Sequence, residues 1–113
     1  MSDETIIELT DDAIETLKRK HKHLKSFALE RGSQPFVVRA PDEAEFQRAI
    51  DKMSEGGRLK SEAVMEVGEA CMVFPDQAEV KRHAADRPGL FFTAGNLALE
   101  LSGISEGYGV KKL

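Results

Sequence analysis

The stretch PFVVRAPDEAEFQRAI, residues 35–50, decides how the chain is read. Its first half is a short β-prone apolar run, Phe36, Val37 and Val38. Its second half writes out a helix start. Asp42 stands as N-cap, and Glu45, three residues on, reaches back to close a capping box. Phe46, Ala49, Ile50 and Met53 then fall at i, i+3, i+4 and i+7, one face of an amphipathic helix. The pattern returns once: PDEAEFQR at 41–48 is echoed by PDQAEVKR at 75–82, again after an apolar pair, Val73 and Phe74. Eight residues in two copies do not make a solenoid, because capping chemistry alone generates the likeness.

Working outward, residues 24–39 carry the β signal. Leu24, Ser26 and Ala28 alternate with Lys25, Phe27 and Leu29, Arg31-Gly32-Ser33-Gln34 makes a turn, and the apolar run follows. A hairpin is the natural reading, with Pro35 at a strand start or edge. A continuous helix through 23–30 is the competing one. Upstream, a helix runs from about Thr10, with Thr10 or Asp11 as its cap and Ala13, Ile14 and Leu17 on its inner face. Its acidic start and lysine-rich end suit the helix dipole. Residues 1–10, with Ile6, Ile7 and Leu9, read as an edge strand or an ordered arm.

Downstream, the helix over 42–55 stops at Gly56-Gly57, and a third covers 59–71. Gly68 costs that helix about 1 kcal/mol against alanine, which points to a close packing contact there. Residues 72–75 read as an extended connector, 76–85 as a short fourth helix, and 88 or 89 to 101 or 102 as a fifth, with Gly103 as its stop. The sum is an α+β domain, predominantly α-helical, with about five helices and one small β-hairpin. The arm is 1–10, the compact domain 11–103, and a Gly-rich tail 104–113.

Composition narrows the function classes. A 113-residue chain of 41% hydrophobic and 32% charged residues fits one soluble domain. Its net charge of −4 argues against a dedicated nucleic-acid or anionic-membrane binder, although its positive charge is locally clustered. A single cysteine, an acidic N-terminus without a signal-peptide pattern and no apolar run of membrane-spanning length make the cytoplasm the expected location.

Each candidate for chemistry has a plainer reading beside it. His21-Lys22-His23 is an HxH, but flanking lysines repel a cation and no neighbouring carboxylate or thiol completes a metal site. The same run, 18–25, suits a phosphate or acidic-protein contact, or a solvated helix end. Cys71 reads as a buried structural thiol, with nothing beside it to lower its pKa. His83 has no nucleophile to serve, and the carboxylate pairs Asp11-Asp12 and Asp42 with Glu43 and Glu45 belong to helix starts. The glycine pairs lack the frame of a phosphate cradle. No enzyme, cofactor or metal is therefore expected. Phe91-Phe92 point about 100° apart on a helix. Either one lies in the core and the other is partly covered by the hairpin, or Phe92 joins an exposed patch that docks a partner's amphipathic helix.

Taken in order, the KHKH segment, FVVRAPDEAEFQR and CMVFPDQAEVKRHAADRPGLFFTAGNLALELSG resemble small tail assembly chaperone-like proteins of long-tailed bacteriophages and prophages. Arg39, Pro41, Glu45, Phe46 and Arg48 carry one half of the likeness. Val73, Pro75, Asp76, Pro88, Gly89, Leu90 and the run from Leu101 to Gly103 carry the other. Val80 departs from it, standing where an aromatic is more usual. The resemblance implies a non-enzymatic factor in the bacterial host cytoplasm that binds the tape measure protein, with the tail tube protein as a further partner and a homo-oligomer as a possible state. From the residue pattern, the groove falls to Phe91, Phe92, Leu97 and Leu101, with Lys18, Arg19, Lys20 and Lys22 contacting acidic segments. The alternatives are a small nucleic-acid-binding protein using the basic run, and a structural tail component retained in the virion.

Overall fold

In the computed structural model, which describes residues 6–54 and 61–103, the capped starts form as their chemistry requires. The Glu45 amide donates to Asp42 Oδ1 and the Asp42 amide donates to Glu45 Oε1, both at 2.8 Å. Thr10 caps the first helix through the Ala13 amide, and Asp76 caps the fourth through the Glu79 amide. The elements follow in the order α1 (Asp11–Lys20), β1 (Leu24–Phe27), β2 (Phe36–Arg39), α2 (Glu43–Ser54), α3 (Ser61–Cys71), β3 (Met72–Phe74), α4 (Gln77–Asp86) and α5 (Leu90–Leu101). The fold is α+β and mostly helical, as expected. The helix stop at Gly56-Gly57, the expected helix start at Leu59 and the tail 104–113 lie outside the described residues.

The hairpin is present, and Gly32 supplies the positive φ, +81°, within its connecting loop. The connector at 72–75 is a correction: Met72–Phe74 is a third strand, antiparallel to β2, in the order β1-β2-β3. Three residues are too few to show a period of two. Their pairing with β2 skips a residue between Val37↔Phe74 and Val38↔Met72, leaving Val73 as a bulge.

The register sorts the side chains. Lys25, Phe27, Phe36, Val38 and Met72 share one face of the sheet, and Leu24, Ser26, Val37, Arg39 and Phe74 the other. Phe36, Val38 and Met72 pack with Val80 of α4 and with Leu90 and Ala94 of α5. A second cluster joins Ala49 of α2, Val64, Val67 and Cys71 of α3, and Ala98 and Leu99 of α5, with Phe46 against it. α5 thus belongs to both halves of the core.

The α3–α5 contact depends on two glycines. Gly68 lies against the Phe91 carbonyl and the Gly95 amide nitrogen, and Gly95 lies against the Val64 carbonyl, so neither has room for a Cβ. This is the close contact that Gly68 signalled. Because 64 meets 95 while 68 meets 91, the two helices run antiparallel.

The opposite face of the sheet is covered more thinly. Leu9, Ile14 and Leu17 approach Leu24 and Val37 around a cavity of about 160 Å³, and α1 has no fully buried residue. Ahead of α1, the buried Gln34 amide accepts from the Ile7 nitrogen at 2.8 Å and donates to the Ile7 carbonyl at 2.9 Å. It pairs with the arm's backbone as a neighbouring strand would. Among the described residues, no helix is long and apolar enough to cross a membrane.

Candidate partner-binding surfaces

The candidate groove residues on α5 divide between core and solvent. Phe91, Leu97 and Leu101 are partly buried and packed against the sheet-side core. Phe92 is 42% exposed. The cause is the helical rotation: Leu90, Ala94, Leu97 and Leu101 follow one stripe toward the sheet, and Phe92 lies well round the helix from it. The four residues therefore do not form a single groove.

A second outward apolar residue, which the sequence reading missed, is Met65, 36% exposed. Met65 follows Val64 and Phe92 follows Phe91, the residues at the glycine crossing. One residue turns a helix by about 100°, and in an antiparallel pair that step carries both side chains to the same side. Glu69 and Asn96, each one residue past Gly68 and Gly95, turn to this side too and are exposed. The outer face of the α3–α5 pair thus presents two large apolar side chains beside two polar ones. Met65 escaped notice because nothing in the sequence shows which faces of two helices become neighbours.

The basic run also divides. Lys18 borders the cavity beneath α1. Arg19 points into solvent beside Glu15, at 3.8 Å with both side chains more than two-thirds exposed. Lys20 and Lys22 line an open cleft of about 370 Å³ with His21, His23, Arg39, Ala40 and Asp42. None of the four α5 candidates lines it.

Arg39, at the back of this cleft, anchors the frame. Its guanidinium donates to both Glu45 oxygens at 2.7 and 3.0 Å, to the Ala70 carbonyl at 3.0 Å and to the Ala40 carbonyl at 3.1 Å. It ties the end of β2 to the start of α2 and the end of α3. The Glu45 carboxyl is held below its usual range, chiefly by Arg39, with the Asp42 amide adding to the effect. His21 is pushed below the usual imidazole range, first by burial and then by the charges of Arg39 and Lys20. Arg39, Glu45 and Asp76 are three of the residues quoted for the resemblance, and each has a structural duty.

The remaining candidates, Cys71 and His83, are buried. Cys71 is fully buried and its thiol is pushed up to about 11, because burial outweighs Arg39, whose Nη1 lies 3.7 Å from the sulfur. His83 is buried edge-on against Phe36, with ring centroids 5.4 Å apart. Among the described residues, no three histidine, cysteine or acidic side chains converge on a metal-sized site.

No protein-family model matches the chain, and no curated protein matches it either. Its fold is similar to that of an uncharacterised protein from Bacillus stearothermophilus. The TM-score is 0.65 at 20% identity, over 87% of this chain and 99% of that one. At that identity the likeness is one of fold alone.

Proposed function

We propose that the protein is a non-enzymatic assembly chaperone of a phage or prophage tail, which binds the helical tape measure protein and keeps it soluble in the host cytoplasm. The observation that carries the reading is the outer face of the α3–α5 pair. Met65 and Phe92 stay exposed there on the two helices most tightly packed together, with Glu69 and Asn96 beside them. An apolar centre with a polar rim on a rigid platform suits the apolar stripe of a client helix. Lys18, Arg19, Lys20 and Lys22 supply positive charge for acidic client segments. The resemblance around Arg39–Arg48 and Pro75–Gly103 supports the tail assignment.

Co-expression with a tape measure protein tests it. The expected result is a client that moves from the insoluble to the soluble fraction and elutes with this chain. A client that stays insoluble and elutes alone would refute the reading.

A further inference from the structure

We propose that the cleft between the end of α1 and the start of α2 binds an acidic polypeptide segment, with its carboxylates between Lys20, Lys22 and the imidazoles of His21 and His23. The backbone builds this site. α1 ends at Lys20, His21 leaves it in extended conformation at φ −134° and ψ 137°, and the His23 carbonyl takes the Ala40 amide at 3.1 Å. The segment 20–23 is thereby held beside Arg39, Ala40 and Asp42, which form the other wall. The negative end of the α1 dipole accounts for Lys18, Arg19 and Lys20 in its last turn. It does not account for Lys22 beyond the helix, nor for the convergence of that segment on Arg39.

Charge identifies the ligand class. Glu45 neutralises Arg39, which leaves Lys20 and Lys22 against Asp42 and a surplus positive charge in the cleft before either imidazole is counted. Carboxylates on a flexible segment fit such a site without displacing the Arg39–Glu45 pair. A nucleic-acid backbone fits it poorly: beyond the cleft it meets exposed Asp11, Asp12 and Glu15 on α1 and Glu43 on α2, on a chain of net charge −4.

The site is also proton-linked. The charged and titratable groups beside His21 in the cleft are Lys20, Lys22 and His23 on its own segment, Arg39 from β2, itself paired with Glu45 of α2, and Asp42 at the cap of α2. Burial and the charges of Arg39 and Lys20 hold His21 below the usual imidazole range, and a bound carboxylate favours its protonated form. Binding therefore takes up protons, strengthens as the pH falls toward the imidazole range and weakens as it rises.

The identification of the partner as a tape measure protein rests on the preceding reading; the cleft itself does not. The test uses the full chain at constant ionic strength and a fluorescent, unstructured peptide rich in glutamate, followed by anisotropy. Its glutamine counterpart, inorganic phosphate and a short DNA duplex are the comparison ligands. The glutamate peptide is expected to bind, and to bind several-fold more tightly at about pH 6 than at about pH 8. Lys20→Ala with Lys22→Ala, both at exposed positions, is expected to weaken it by about tenfold. His21→Gln is expected to flatten the pH dependence. Equal binding of the glutamine peptide, an unaffected double variant, or tighter binding of phosphate or duplex would overturn the proposal. A tape measure fragment captured equally by the wild type and the double variant would remove the cleft and leave the function. A glutamate peptide bound by a chain that captures no such fragment would do the reverse.

Discussion

Arg39 and Glu45 are the residues whose loss the fold should feel most at the polar level. Their side chains are only 21% and 12% exposed, and the pair is bidentate. Glu45 has a depressed folded-state pKa, so its contribution is fully present above the unfolded value near 4.5 and is lost as the pH falls through the folded value. Glu45→Gln should cost about 1–3 kcal/mol at neutral pH. In acid denaturation followed by circular dichroism, wild type and variant should converge below that range; a constant gap would contradict the assignment. At the glycine crossing, Gly95→Ala should destabilise by about 3 kcal/mol, because the methyl meets the backbone carbonyl of Val64, which cannot swing aside. A melting temperature within about 2 °C of wild type would contradict that contact. The capping residues were legible in the sequence because donor and acceptor sit three residues apart. Gln34 was not: it read as a turn residue, and its partner, Ile7, is 27 residues away.

Among the elements, α3 and α5 should be the most protected and α1 the least. α3 and α5 each bury five residues, whereas α1 buries none and rests over a cavity. Hydrogen exchange should release the α1 amides well before those of α5. Gln34→Ala should speed exchange at the Ile7 amide, which donates to Gln34, while α5 exchanges as before. Equal protection of α1 and α5 would show a cover packed more firmly than its burial indicates. Helix periodicity and caps placed the helices, and alternation with a turn placed the hairpin. The third strand escaped because Met72–Phe74 is short, bulged and paired with residues more than thirty positions earlier.

For the whole molecule, glycines lock α3 to α5, and Met65 and Phe92 face solvent on the outer side of that pair, the face assigned to the client in the proposed function. Phe92 was visible in the sequence as one half of an adjacent aromatic pair. Its separation from Phe91, Leu97 and Leu101, and its alignment with Met65, required the helix crossing. Phe92→Ser should cost only about 1–2 kcal/mol, since Phe92 is 42% exposed and lies outside the buried core. The most direct measurement is calorimetric titration of a tape measure fragment into wild-type protein and into the folded Phe92→Ser variant. A wild-type complex weakened by about tenfold or more in the variant is the predicted result. Undiminished binding by Phe92→Ser would contradict the account.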